Sequence, residues 1–285
     1  MRLRKRRLPA SGLVARARSN RLNPFPFSLV GLGAGLPLLL PFAWHHSTPL
    51  GGLALAGTFA AHAALAYGTF RPNNAWFGPV VTTIPAPTGR EVWLTVDDGP
   101  DPHDTPRLLD LLDAADGARA TFFVRGDHAR AYPDLIREIV RRGHALGNHT
   151  DTHPQATFWL LGPARLRREM RRCSETLRQI TGTAPRLFRA PVGLVNPFVH
   201  PAARAEGLRL MGWSARGFDG VSTARPDEVV ARILADLRPG GIVLLHEGKR
   251  GPTGDPLNVR VLKKLLAALR ERGWQPVVPA ADFAA

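Results

Sequence analysis

Two adjacent carboxylates, Asp97 and Asp98, close the segment Thr95-Val96-Asp97-Asp98-Gly99-Pro100, and further along His149-Thr150-Asp151-Thr152-His153 places two imidazoles four positions apart. A hydrolytic metal centre needs a few neutral imidazoles, a carboxylate and an open coordination position for water. His149, His153 and Asp98 are of the right types. Residues 91–96 are β-branched and aromatic enough to form a strand, and Gly99-Pro100 must end it, so both aspartates fall at its C-terminal edge. Successive strand side chains point to opposite faces, which lets one carboxylate bind metal while the other stays free as a base. Each piece also has a plainer reading. Asp-Asp-Gly-Pro-Asp-Pro is a good turn and helix-capping sequence, and a lone H-x-x-x-H can be a pair of core or surface histidines. Pro154 follows His153 at once, so the histidines belong on a loop or short turn after a strand at residues 145–148.

Two later segments change the balance. Strand-like residues 187–188 lead into Arg189-Ala190-Pro191-Val192-Gly193, and strand-like residues 242–245 lead into His246-Glu247-Gly248. Four strands thus deliver reactive side chains at the same end. Around them the pattern alternates: strand at 120–124, helix at 133–142, helix at 166–180, then segments 196–206 and 208–213. A helix at 227–237, a helix at 257–272 and a closing strand at 277–278 complete it. Alternation with polar residues at strand C-termini suits a parallel α/β barrel, although periodicity alone leaves an open doubly wound sheet equally allowed.

In their order and spacing these segments resemble the polysaccharide deacetylases, the carbohydrate esterase family that includes chitin, chito-oligosaccharide and peptidoglycan deacetylases. T-[FV]-D-D-G-P is matched by residues 95–100, H-[ST]-x-x-H by 149–153, R-x-P-x-G by 189–193 and the terminal L-x-H by 244–246. The resemblance covers roughly residues 90–279. It implies an α/β fold, an incomplete, distorted (β/α) barrel, preceded here by an N-terminal membrane segment. It further implies that Asp97 is the general base, that Asp98, His149 and His153 hold one divalent metal ion, and that His246 is the general acid. Arg189 would orient Asp97. Asp219, after Trp213-Ser214, would support His246, and Pro191, Val192, Trp213 and Leu244 would contact substrate, with the Val192 backbone N–H a candidate oxyanion donor. Three positions depart from the common pattern: Gly220 where many members have Trp, Val192 where Tyr is frequent, and Glu247 where Asp is commoner. The chemistry is left intact while aromatic walls are lost from the sugar cleft.

Charge is unevenly spread. Of 38 Lys and Arg residues, ten lie within residues 1–90, where there is no Asp or Glu, leaving 28 basic against 23 acidic residues beyond. No nucleic-acid motif accompanies the basic head, whereas apolar runs at 25–44 and 50–67 flank it, so it reads as a membrane-orienting segment and no nucleic-acid partner is expected. The organisation expected is a basic segment at 1–23, two candidate transmembrane helices within 24–70, a proline-rich linker at 71–89, which could lie across the barrel mouth, and the catalytic domain at 90–280. An inner-membrane location follows. The domain would be cytoplasmic if both runs span, and periplasmic or extracellular if only one does. A signal peptide is disfavoured because no A-x-A site precedes an immediate mature domain. Cys173 is the sole cysteine, which excludes an intramolecular disulfide and a thiolate-rich zinc site and leaves it a packing residue.

The function expected is metal-dependent removal of an N-acetyl group from a sugar of a polysaccharide, oligosaccharide or glycolipid, with acetate released. Imidazole and carboxylate ligands favour Zn²⁺, with Co²⁺, Ni²⁺ or Mn²⁺ admissible. Two alternatives stand beside it: a deformylase or deacetylase of a lipid-linked sugar precursor, and a catalytically silent carbohydrate-binding protein.

Overall fold

The computed structural model describes residues 48–84, 87, 89–221, 223–251, 254 and 256–279. The basic segment and the apolar run at 25–44 lie outside them. The second apolar run forms helix α1, Thr48–Phe70. It is built from Ala, Leu and Gly without an interior proline, Pro49 being tolerated in its first turn. Among the described residues it is the one helix long and apolar enough to cross a membrane, with mean hydropathy 1.3 over residues 51–70 and only 17% of its most apolar stretch buried. Two polar side chains in its middle are satisfied within the helix: Thr58 donates to the Ala54 carbonyl at 2.9 Å and the His62 Nδ1–H to the Thr58 carbonyl at 2.8 Å.

The rest is one parallel sheet under helices. In chain order it comprises β1 (Glu91–Asp97), α2 (Thr105–Ala114), β2 (Ala120–Val124), α3 (Gly126–Ala131), α4 (Pro133–Arg141), β3 (Ala145–Asn148), α5 (Pro163–Thr181) and β4 (Leu187–Phe188). There follow α6 (Val199–Ala205), β5 (Arg209–Leu210), β6 (Ala215–Arg216), α7 (Pro226–Asp236), β7 (Gly241–His246), α8 (Leu257–Glu271) and β8 (Gln275–Pro276). The strand order is β5-β4-β3-β2-β1-β7-β6, with β8 beside the start of β1. The sheet curls into an open half-barrel. Between its edges runs the chain after α1: Val81 bridges to Met211 and Thr83 to Gly241, within the stretch expected as linker.

Period-two alternation sorts the strand side chains. Val92, Leu94 and Val96 of β1, with Val243 and Leu245 of β7, pack outward against Leu109, Leu112, Val229 and Leu265 of the helices. Trp93 and Ile242 lie opposite each other, as do Thr95 and Leu244, and then Asp97 and His246. The lower members of this inward series form an apolar plug with Phe123 and Trp213. The same parity that buries Trp93 therefore sets Asp97 and His246 side by side at the mouth.

Several expectations shift by physical cause. Within the segment 196–206 a helix starts only at Val199, because Asn196 makes a turn: its side chain accepts from the Phe198 N–H at 2.9 Å and donates to the Trp159 and Leu161 carbonyls. The segment 208–213 contributes a strand of two residues, since Gly212 donates to Val81 at 2.8 Å instead of continuing along β4. The closing strand falls at 275–276 rather than 277–278, although the Val277 N–H still reaches the Val92 carbonyl at 2.8 Å. Helices α2 and α3, both short, carried no assignment from periodicity.

Candidate active site and metal centre

Asp98, His149 and His153 converge at the mouth, with one ligand atom from each lying within 4.8 Å of the others. Asp98 follows β1 directly, and strand alternation would turn it away from Asp97. Its backbone instead takes the left-handed conformation, φ 77°, which swings the carboxylate back over the mouth. Asp98 Oδ1 lies 3.4 Å from His149 Nε2 and 3.3 Å from His153 Nε2. The histidines are not on a helix. Asn148 ties the end of β3 to α5 through Met170 O and Ser174 Oγ, and its Oδ1 accepts the Thr150 N–H at 2.8 Å. Left-handed turns at Thr150 (φ 70°) and His153 (φ 48°) fold the loop over, and Thr152 is clamped to buried Glu169.

The donor chemistry fits a cation. His149 Nδ1 sits 2.8 Å from the Arg189 carbonyl, an atom that can only accept, so this nitrogen carries a proton and Nε2, facing Asp98, is the atom left to ligate an ion. Burial, reinforced by the His149 charge, lowers the His153 pKa to about 3 against the pull of Asp98, keeping that ring neutral. Burial opposes ionisation of Asp98, yet the hydrogen bond and charge of His149 and the charges of His246 and Lys249 outweigh it and hold the carboxyl well below the usual range. Two neutral imidazoles and an ionised carboxylate are what a divalent ion of the zinc type requires.

Asp97 is held differently. Arg189, fully buried at the end of β4, donates from Nη1 to Asp97 Oδ1 at 2.7 Å and to Thr95 Oγ1 at 2.8 Å, and from Nη2 to the Gly212 carbonyl at 2.8 Å. Burial pulls the arginine's pKa down against the charge of Asp97. Its guanidinium lies 4.2 Å from the Phe123 ring centre, and Gly147 beneath makes that possible, since a Cβ there would sit 2.4 Å from the same ring. Asp97 Oδ2 stays free of this clamp, 3.8 Å from His149 Nε2.

His246 ends β7 opposite Asp97. Asp219 grips it twice: Oδ1 is 2.9 Å from Nδ1 and Oδ2 accepts the His246 backbone N–H at 2.8 Å. Burial lowers the histidine's pKa, but Asp219, helped by Asp97 and Asp98, lifts it to about 9. The next residue, Glu247, is buried and points the other way, accepting from Thr105 Oγ1; burial raises it to about 8. Gly99 is required there, because a Cβ would lie 2.0 Å from Glu247 Oε1.

A cleft of about 320 Å³ unites these groups, and Asp97, Asp98, His149, His153, Asp219 and His246 all line it. Of the expected substrate contacts, Val192, Trp213 and Leu244 line it, whereas Pro191 does not and is buried behind them. Sequence reasoning missed Lys249, which meets Asp98 Oδ2 at 3.0 Å, and Arg216 and Phe218, which line the opposite wall. Arg216 lies on a two-residue strand, too short for any periodicity to announce. Cys173 is buried, its Sγ 3.4 Å from the Val124 carbonyl, as befits packing.

Comparison with known proteins agrees with this geometry. The family profile described as polysaccharide deacetylase matches residues 85–211. A chitooligosaccharide deacetylase of Bradyrhizobium is 39% identical over 199 residues, 65% of this chain and 87% of that protein. A peptidoglycan-N-acetylglucosamine deacetylase of Bacillus cereus is 31% identical over 201 residues, 66% of this chain and 91% of that protein. Among solved structures, a family 4 carbohydrate esterase from Streptomyces lividans in complex with acetate superposes with TM-score 0.59 at 30% identity, covering 68% of this chain and 95% of its own. With its Asp98, His149 and His153 triad, the chain belongs to the polysaccharide deacetylase family and is an enzyme of metal-dependent N-acetyl hydrolysis on a sugar.

Proposed function

We propose that Asp98, His149 and His153 hold a zinc ion and that Asp97 and His246 are the base and acid that deacetylate an N-acylated amino sugar at a membrane. Bound there, the ion would polarise the acyl carbonyl and lower the pKa of water towards about 7. Asp97 takes the proton of the attacking water on Oδ2, the oxygen that Arg189 leaves free, while the Arg189 bond to Oδ1 keeps the carboxylate aimed. The Val192 N–H is the candidate donor to the developing oxyanion. As the C–N bond breaks, His246 gives its Nε2 proton to the departing nitrogen, because an amide anion cannot leave in water. Asp219 holds the ring in place and supplies the negative charge that keeps that proton on. Acetate and a free amino sugar are the products.

The observation that carries this reading is the division of labour between consecutive aspartates, one clamped by Arg189 and the other set against two imidazoles. Metal-loaded protein incubated with a panel of N-acetylated glycans and lipid-linked sugars, with acetate and formate assayed, tests it. Release of neither would overturn it.

The membrane part rests on α1. Leu53, Leu55 and Phe59 are exposed along it, and its C-terminal end docks on the domain, Tyr67 edge-on to Trp76 at 5.7 Å and Phe70 to Trp159 at 4.8 Å. Aromatic residues with Arg71 at that junction suit a membrane–water boundary. With the basic head held in the cytoplasm, a single crossing puts the domain outside and a hairpin with residues 25–44 keeps it inside. A reporter active only in the periplasm, fused after Ala285, separates the two.

A further inference from the structure

The acidic groups of the cleft each have a cation. Asp97 has Arg189 at 2.7 Å, Asp98 has Lys249 at 3.0 Å and Asp219 has His246 at 2.9 Å. Arg216 has none. It lines the same cleft, half-buried, and its guanidinium makes no hydrogen bond or ion pair with any described residue. Four arginines elsewhere on the domain, Arg130, Arg142, Arg171 and Arg250, hold carboxylates at 3.0 Å or less. What Arg216 has instead is aromatic support. Its guanidinium lies 4.3 Å from the Phe218 ring centre and 5.8 Å from that of Trp213. Stacking of this kind fixes the plane of a guanidinium while leaving its N–H edge free for a bidentate oxyanion. Phe218 holds its place through a left-handed backbone, φ 63°, an arrangement that costs energy and keeps the ring beside Arg216.

Position on the sheet says where that edge points. Arg216 pairs with Leu244 and shares its inward face, and His246 lies two residues further along β7, about 6–7 Å up the strand. Arg216 and His246 line the same cleft, so the guanidinium faces the substrate whose leaving nitrogen His246 protonates.

Taking the deacetylase reading as its base, we infer that the substrate is an N-acylated sugar carrying an oxyacid group, phosphate or carboxylate, and that Arg216 is the residue that selects it. A neutral sugar would leave a cation enclosed in a narrow cleft without a counter-charge, next to a site that gains two further positive charges with its metal. An oxyanion on the same sugar removes that cost and pairs with a planar, pre-oriented fork.

Binding is tested apart from turnover. Metal-free protein is titrated calorimetrically with glucosamine 1-phosphate, so that no ion can hold the phosphate. Arg216→Gln should weaken binding about 10- to 100-fold, the usual worth of a charged hydrogen-bonded contact, and Arg216→Lys should recover part of it. Unchanged affinity in Arg216→Gln overturns the assignment. Turnover then names the group: N-acetylglucosamine 1-phosphate and N-acetylmuramic acid are compared with neutral di-N-acetylchitobiose. Arg216→Gln should raise KM by the same 10- to 100-fold on the better anion and leave the neutral substrate within about threefold. An equal loss on all three would make Arg216 a structural plank and overturn the inference. If no substrate releases acetate, the deacetylase reading fails, and the titration alone decides the anion site.

Discussion

The two walls of the cleft are built in opposite ways. On the wall formed by β1, β3 and β4, Asp97, His149 and Arg189 are buried, and Arg189 ties the ends of different strands together, its carbonyl meeting His149 and its guanidinium Asp97. Across the cleft, Val192, Phe218 and Val221 are 44%, 51% and 54% exposed, carried on loops after strands two residues long. The first wall holds a geometry that hydrolysis of an amide cannot do without. The second can change side chains without disturbing the first, and two of the three departures from the common family pattern, Val192 and Gly220, fall there. A fold of this kind keeps its reaction on buried groups at the strand ends and varies its substrate on the exposed loops beyond them.

The largest effect should come from the metal ligands. His149→Ala removes one imidazole of the triad, and both metal content after dialysis and acetate release should fall to background. Full metal retention by elemental analysis would show that the first wall is not a metal site and would break the comparison at its root. Asp98→Asn should likewise weaken metal binding. Asp97→Asn should keep the metal and lose about two to four orders of magnitude in kcat, the usual worth of a general base. Equal metal loss in both aspartate variants would erase the difference between Oδ2 of Asp97 and Oδ1 of Asp98.

His246 stands where the walls meet, so its effect should be intermediate and dependent on the leaving group. His246→Ala should slow an N-acetyl sugar far more than an activated aryl acetate, whose leaving group needs no proton. An acid must be protonated to act. A histidine raised to about 9 therefore works below that pH and fails as pH rises through it, giving the kcat profile an alkaline limb. A divalent ion nearby would lower the limb, and Asp219→Asn should lower it further by removing the charge that raised it. A limb that stays in place in Asp219→Asn would mean that another group controls it.

The same contrast decides what could be read from sequence. Strands β1, β2, β3 and β7 are runs of four to seven residues bounded by Gly, Pro or charged turns, and their bounds matched expectation within a residue or so. Because the candidate site residues hang on or just beyond their ends, Asp97, Asp98, His149, His153 and His246 could be named together. Illegible were features that leave no periodic trace. Alternation predicted that Asp97 and Asp98 face apart, and a single left-handed residue at Asp98 brings them together. Nothing in the order of residues announced that Lys249 would return to Asp98 Oδ2, or that Arg216 would stack between Phe218 and Trp213.

The smallest effect, and the sharpest test of the second wall's independence, concerns Val192. It is β-branched yet sits at φ 50°, a conformation costing such a residue about 1–3 kcal/mol. Glycine there would relieve that strain but lose about 0.5–1 kcal/mol through the greater freedom of the unfolded chain. The balance favours Val192→Gly by about 1 kcal/mol, or about 2–4 °C in Tm for a domain of this size. The backbone N–H stays in place, so kcat should remain within a few-fold and only KM should drift as an exposed side chain leaves the rim. Thermal unfolding with kcat and KM on one substrate reads all three. A fall in Tm would show that Val192 is unstrained and anchored by contacts of its own; a large loss in kcat at unchanged KM would show that the rim side chain sets the position of the N–H, and the two walls would then be one machine.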